Sequence, residues 1–522
     1  MKKKLLVSLI LASSTIGAVY AVRLRKENYI TGHTFFTTRP FFQTAMPERV
    51  SLFRPTILDS CCNGYGGAMQ LVAFGGKSLD NRDLARYFLP GGCVADTIRV
   101  VEFNPQANPL AVDGLRGNDV EARHFNIETN TGTFKSLVRF CPNQEFIGLG
   151  FAYMQRLSCW DDGATKWWAE ISAPLVHVKN CMTLQEEIID DGGGAKNELG
   201  LDDSPRVGTM REAFMQSNWK FGRIDGCADE RTRLGDIEVK LGYNYGRAHG
   251  DRCSLSSCFG IVIPTGNTPN GHKVFQAIVG NNHHAGFFLG NSISFDLKVI
   301  NGTRIYMKLD SNSRYLFEND EVRTFDLVGK PWSRYMEVYR NQDQATLAST
   351  ETTSVIAREN LGTSGINVFT RCVKVMPRFS LDFNTAFLFD YELCSGMLLA
   401  EIGLNFFARQ AERIEANCKV NTHIALKGVN GNGQTTFART IRDNFAASDV
   451  SLPTYATQDS CELDLNSAAH PATLSHIFYA TIGYQFCNDC PALVSIGGSY
   501  EDSTFNTALS RWMVWGKYAL TF

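Results

Sequence analysis

Hydrophobic and polar positions alternate with a period of two over unusually long runs. At the end of the chain, RWMVWGKYALTF (511–522) sets Trp512, Val514, Gly516, Tyr518, Leu520 and Phe522 on one face, and Arg511, Lys517 and Thr521 on the other. In GDIEVKLGYNYG, Ile237, Val239, Leu241, Tyr243 and Tyr245 oppose Asp236, Glu238, Lys240 and Asn244. In RFSLDFNTAFLFDYE, Phe379, Leu381, Phe383, Phe387, Phe389 and Tyr391 oppose Arg378, Ser380, Asp382, Asn384, Asp390 and Glu392. Successive side chains of a strand point to opposite faces, so these are strands whose two faces meet different surroundings. Comparable runs are GGAMQLVAF (66–74), FKSLVRFC (134–141), EFIGLGFAYM (145–154), CSLSSCFGIVI (253–263), AGFFLGNSISFDL (285–297), GMLLAEIGLNFF (396–407) and LSHIFYATIGYQF (474–486). At roughly 10 to 14 residues the longest exceed the usual strand of about 5 to 6.

Short turn signals, PNQ (142–144), AHGD (248–251) and CNDC (487–490), join several runs and imply antiparallel hairpins. The stretches 76–121, 179–233, 340–365 and 410–470 are long polar connections. In one of them, PRVGTMREAFMQSN from Pro205 places Val207, Met210 and Phe214 at helical spacing, which predicts a short helix in a loop.

The N-terminus reads as a secretory signal peptide over residues 1–21: a cationic MKKK, the apolar LLVSLILASSTIGAV, and small residues ending at Ala21. Beyond it no run of about 18 apolar residues could form a membrane helix, which leaves a soluble protein or a barrel. Three features favour the barrel. The strands are long, and Tyr243, Tyr245, Tyr391, Tyr484, Trp512 and Tyr518 sit near strand ends, where aromatic girdles meet lipid headgroups. The third is that Glu238, Lys240, Asp382, Asp390, Glu401, Arg511 and Lys517 place formal charge on the second face, which suits a wet lumen and is costly in a dry core. The expectation is an all-β, transmembrane, antiparallel up-and-down β-barrel of about 14 strands (12–16) over residues 65–522. Its long loops are extracellular, and its short turns, with the end of the last strand, are periplasmic. Residues 22–64, whose pattern breaks at Arg39-Pro40 and Arg54-Pro55, form a plug or a strap across the periplasmic mouth.

The terminal segment resembles the C-terminal signature of bacterial outer-membrane β-barrel proteins: Phe522 preceded at alternate positions by Leu520, Tyr518, Gly516 and Val514. The resemblance implies the outer membrane of a diderm bacterium, with outer-membrane lipid around the wall. It also implies reading of these five residues by the barrel-assembly machinery, and closure of the barrel by pairing of the last strand with the first. It gives a porin-like class, with a homo-oligomer as an open option, and no substrate.

Composition changes this picture little. A net charge of −2 and a pI near 6.6 leave no basic footprint, so nucleic acid is excluded as a partner. The 15 cysteines all follow residue 21, and in an oxidising compartment they read as disulfides. Cys61 and Cys62 are adjacent, Cys253 and Cys258 share a strand, and Cys487 and Cys490 flank a turn. The odd total leaves a thiol for an intermolecular bond, hence an alternative: a plugged, disulfide-linked structural or adhesive envelope barrel. The stretch GVNGNGQTT from Gly428 has Gln434 where a phosphate loop needs lysine. His272, His283 and His284 lack a companion cluster at zinc spacing, so no metal is expected. Ser475 and His476 are strand neighbours facing opposite ways, unsuited to nucleophile and base. Asp161-Asp162 and Asp190-Asp191 suit turns, and Cys487–Cys490 has redox spacing but lies between strands. No catalytic residue and no cofactor is expected, which weakens the remaining alternative, a soluble secreted β-rich enzyme. The preferred function is a channel for diffusion of small polar solutes, with the seven charged residues lining its lumen and, both signs being present, no strong ion preference.

Overall fold

The computed structural model describes residues 30–53, 66–79, 82–90, 96–102, 120–159, 165–226, 228–245, 253–300, 303–328, 332–339, 362–393, 396–416, 425–427, 455–457, 463–486 and 491–522. The expected signal peptide, Cys61-Cys62, Arg54-Pro55, Asp161-Asp162, the AHGD and CNDC turns with Cys487 and Cys490, and the glycine-rich stretch from Gly428 lie outside these residues.

Twelve antiparallel strands close into a ring: β1 (Gly67–Ser78), β2 (Lys135–Cys159), β3 (Thr165–Asp190), β4 (Ile237–Asn244), β5 (Cys253–Ile263), β6 (Gly286–Ile300), β7 (Thr303–Leu316), β8 (Arg378–Leu393), β9 (Gly396–Arg409), β10 (Thr473–Phe486), β11 (Ala492–Ser503) and β12 (Arg511–Thr521). Each pairs with its neighbour in sequence, and β12 pairs with β1 from Ala68↔Thr521 to Ser78↔Arg511. The last residue completes the seam. Phe522 and Gly67 exchange both backbone hydrogen bonds, at 2.9 and 2.6 Å. Closure leaves no wall strand with an unpaired edge.

The ring has 12 strands where the sequence suggests about 14. FKSLVRFC and EFIGLGFAYM are one strand, β2, because PNQ does not turn. Pro142, Asn143 and Gln144 continue the ladder opposite Met182, Cys181 and Asn180, and none takes the positive φ a tight hairpin requires. The 179–233 connection begins inside β3, and Tyr500 to Ser503 are the end of β11.

Connections differ sharply at the two ends. The segments 79–134, 191–236, 264–285, 317–377, 410–472 and 504–510 emerge at one end, whereas 160–164, 245–252, 301–302, 394–395 and 487–491 join strands at the other. The described parts of the long connections fold together over their mouth into a dome with its own core, to which Leu84, Phe125, Phe214, Trp219, Phe275, Trp332, Tyr335 and Leu509 contribute. β2 and β3 run past the rim as a ribbon, carrying Val138, Phe140, Met182 and Leu184 into that core. The expected helix forms as α1 (Met210–Met215), where the Thr209 side chain accepts the Glu212 N–H as a cap.

The outer face of the wall is apolar and exposed, as at Ile147 (64%), Ile496 (64%), Val299 (63%) and Val514 (52%). Tyr245, Tyr391, Trp512 and Tyr518 lie exposed among them. No helix among the described residues is long and apolar enough to cross a membrane. Cys141, Cys159, Cys258 and Cys372 carry free thiols. The suggested Cys253–Cys258 pairing is therefore not made: positions five apart on one strand lie on opposite faces about 16 Å apart, beyond a disulfide's reach.

Candidate functional site

The barrel interior is occupied by the chain itself. Residues 30–53 are rich in aromatics, carry Pro40 and Pro47, and lack any alternation that could add a strand. They run as an irregular strap bent at Phe42, Ala45 and Leu52, where φ is positive, with one short helical turn, α2 (Pro47–Val50). The strap begins in the dome, where the N–H groups of Gly32, His33 and Thr34 bond to the carbonyls of Leu89, Tyr87 and Ser467. It descends the lumen toward the end where Gly67 meets Phe522. Residues 30–53, part of the 22–64 segment expected as a plug or a mouth strap, therefore run down the lumen.

Three charged layers and one apolar patch hold it. Nearest the dome, Arg39 donates from Nη2 to Asp382 and to Asn405 (2.8 Å), its Nη1 lies 3.8 Å from Glu501, and its guanidinium sits 4.5 Å over the Phe407 ring. Arg511 joins this layer through Glu501 (2.7 Å) and the Arg39 carbonyl (3.3 Å). Farther down, Arg49 donates to Glu238 (2.6 Å), to Glu170 and to the carbonyl of Phe42 (3.1 Å). Glu238 also accepts from Arg314 and from the backbone and side chain of Thr44, and Lys240 pairs with Glu170 at 2.9 Å. Below these, Glu401 accepts the Leu52 N–H (2.7 Å), and Lys517 donates to the carbonyls of Arg49 and Ser51 (2.9 and 2.6 Å). Against β1–β3 the contact is apolar: Phe41 packs on Phe74 and Phe146, and Phe42 lies directly on Gly150, where a Cβ would come within 2.4 Å of its ring.

A second element closes over the strap. The 264–285 connection turns inward, buries Ala277 and Val279 against it, and ties it through Gln43–Asn281 and Thr37–Asn282, both 3.2 Å. Asn281 is held by Asp236 on the wall, through backbone and side chain. A cavity between strap and wall, lined by Phe41, Phe42, Pro174, Asp236 and Arg314, has a volume of about 10 Å³, the scale of one water.

Of the seven charged positions read from sequence, Glu238, Lys240, Asp382, Glu401, Arg511 and Lys517 all lie on the buried inner face and take part in these layers. Asp390 is also buried, but nearer the short-turn end, opposite Arg304 in register. None lines open water. Sequence reasoning missed Glu170, Arg314, Asn405 and Glu501 on the wall, and Arg39 and Arg49 on the strap. Glu170, Arg314 and Glu501 lie in strands not recognised.

The dome end of the strap is set in a buried ionic cluster. Arg323 bonds Glu321 (2.7 Å), Glu412 (3.1 Å) and the carbonyl of Ala468 (2.9 Å), its guanidinium lies over the Phe35 ring, and His284 meets Glu321 at 2.7 Å. Burial, reinforced by nearby Arg409, pushes His470 well below the ordinary histidine value and keeps it neutral. At the dome's rim, burial alone would raise the Glu128 carboxyl, but Arg206, Arg123 and Lys196 hold it down at about 2.

The histidines weighed as ligands have other partners: His272 the carbonyl of Lys220, His283 that of Gly266, and His284 the pair above. No cluster of three or more metal-ligating side chains occurs among the described residues. Ser475 faces inward and donates to Glu501, whereas His476 packs on Phe406. Asp190 and Asp191 accept the N–H groups of Gly192 and Gly193 in tight turns.

No family model matches the chain, and no curated protein matches it. Solved structures of similar architecture include an outer membrane channel from Pseudomonas putida F1 (7% identity, TM-score 0.36, covering 89% of this chain and 98% of that one). A Pseudomonas aeruginosa FadL homologue (9%, 0.27, 95% and 98%) and the Pseudomonas putida toluene transporter TodX (8%, 0.27, 95% and 97%) also match. At such identities and scores these are likenesses of barrel architecture, and function is argued from this chain's own geometry.

Proposed function

We propose that the protein is an outer-membrane channel for small polar solutes that rests closed, its lumen held shut by its own residues 30–53. One observation carries the reading: the strap is gripped in large part by charged and polar wall residues rather than by a continuous dry core. Groups of this kind can exchange their protein partners for water, so the lumen remains a solvated surface once the strap leaves, as a wall packed only with apolar residues could not. The apolar outer belt with aromatic residues supports membrane residence, because exposed in water it would form a patch far larger than soluble monomers carry. A freely open pore does not fit the filled lumen.

The test is conductance in planar bilayers. The intact protein is expected to be silent apart from rare openings, and removal of residues 34–53 to give steady conduction. A barrel lacking that segment which still migrates faster unboiled than boiled, yet never conducts, would favour the structural or adhesive envelope barrel instead.

A further inference from the structure

The two strap arginines are held very differently. Arg49 is well partnered: both terminal nitrogens of its guanidinium donate, to two carboxylates and a carbonyl, and no atom of it is buried without a partner. Arg39 is not. Of its five N–H donors, those on Nη2 are used, while Nε and Nη1 are buried and make no hydrogen bond. Nη1 stops 3.8 Å from Glu501, too far for one. The tether of the strap leaves the guanidinium short of the geometry its surroundings offer.

Those surroundings belong wholly to the wall. Asp382 comes from β8, Asn405 and Phe407 from β9, and Glu501 from β11, all on strands of the closed ring, with Asp382 directly opposite Phe407 in register. Together they present two carboxylates and an amide oxygen around an aromatic face. That set matches a planar, delocalised cation, which stacks on a ring while its edges donate to carboxylates. An ammonium is a compact, strongly hydrated point charge and gains less from the ring and the fork.

We infer that Asp382, Asn405, Phe407 and Glu501 form a recognition site for guanidinium-bearing solutes, which Arg39 occupies as a tethered stand-in and from which a free guanidinium displaces it. The inference rests on the channel reading and names the solute class that the closed channel answers to. An untethered ligand can place all its donors, which Arg39 does not, so displacement frees the strap at the Arg39 layer while the dome contacts and Arg49 still anchor it on either side.

The test uses full-length protein with Arg39→Ala, which vacates the site, and methylguanidinium and methylammonium at equal ionic strength as probes, with binding read by calorimetry in detergent. Methylguanidinium should bind the variant about tenfold or more tighter than methylammonium does, and about tenfold or more tighter than it binds wild type. Addition of Asp382→Asn should abolish the binding. Arg39→Gln, which keeps the stem and a polar head, carries the same expectations should Arg39→Ala not fold. In bilayers methylguanidinium, and not methylammonium, should raise the open time of the wild-type channel. Equal binding of the two cations, or equal binding to wild type and variant, overturns the site. A protein that binds methylguanidinium selectively yet never conducts keeps the site and sinks the channel; one that conducts without preference does the reverse.

Discussion

Replacement of Arg49 by methionine tests whether the strap is a gate. Methionine keeps an unbranched apolar stem of similar reach and removes the guanidinium that joins Glu238, Glu170 and the Phe42 carbonyl. Removing one partner of a buried ion pair costs about 3–5 kcal/mol, chiefly by leaving a charge uncompensated. Here the low end applies, because Glu238 keeps Arg314 and Thr44, and Glu170 keeps Lys240. The lost bond to the carbonyl adds about 1 kcal/mol. A total of about 3–4 kcal/mol raises the ratio of unplugged to plugged barrel by a factor of about 10² to 10³, at 1.4 kcal/mol per tenfold.

Single-channel recording reads that factor as open probability. The check that the barrel is intact is faster gel migration before boiling than after. An intact Arg49→Met barrel whose open probability stays within about threefold of wild type would refute the gate, since about 3 kcal/mol cannot leave so little trace if the strap's grip sets the equilibrium. Loss of the folded band would instead mean that strap and wall form one cooperative unit. Arg49→Met combined with Glu238→Gln should be less disruptive than the sum of the two single changes, since the second removes the charge the first leaves exposed.

Other consequences are separable. Gly150→Val places side-chain atoms where the Phe42 ring lies, within 2.4 Å of the new Cβ, and should raise open probability as Arg49→Met does, without touching any charge; an unchanged recording would show that the strap does not need that contact. Gly76→Val sets a Cβ 2.0 Å from the Trp512 carbonyl oxygen, across the β1–β12 seam, and should abolish the fast-migrating folded band; a normal band would mean the seam shifts to accept it. Glu128, held at about 2 against an ordinary value near 4.5, contributes stability fully present above about pH 4.5 and lost as pH falls toward 2, on the order of 2–3 kcal/mol. Fluorescence of the buried dome residues Trp219 and Trp332 should report that acid transition, and Glu128→Gln should flatten it; an identical transition in the variant would exclude Glu128 as its source.

The wall was legible where a strand separates two unlike surroundings from end to end, so that alternation persists over its length. β12 is the clearest instance: Trp512, Val514, Gly516, Tyr518 and Phe522 are exposed, and Arg511, Met513, Trp515, Lys517, Ala519 and Thr521 are buried, as the period requires. β3 was missed for the converse reason. Its first half belongs to the barrel and its second to the ribbon and dome, and Pro174 interrupts it where the neighbouring chain passes from the outer strand Asp229–Leu234 to β4. No single surrounding governs its faces. The closing of the lumen was less legible still. Arg39 meets Asp382 across 343 positions and Arg49 meets Glu238 across 189, and no local pattern encodes such pairings. What the strap did betray was negative: two proline breaks, many aromatics, and nothing that could become a strand.

The charges placed on the inner face by sequence reasoning acquire a second meaning from the filled lumen. They were expected to meet water and instead are buried, most of them against the strap and others against the wall, yet the requirement on them is the same: every inward charge needs a partner, whether solvent, another wall residue or the strap. Arg314, Lys240, Arg511 and Ser475 already provide partners within the wall for Glu238, Glu170 and Glu501. The wall can therefore remain folded with the strap displaced, and the strap contributes the added grip that decides between two states of one barrel. That grip is uneven along its length, engaging both terminal nitrogens of Arg49 but only one of Arg39. Opening should consequently begin at the Arg39 layer, where less is lost, and proceed toward the anchor at Arg49, where about 3–4 kcal/mol must be overcome.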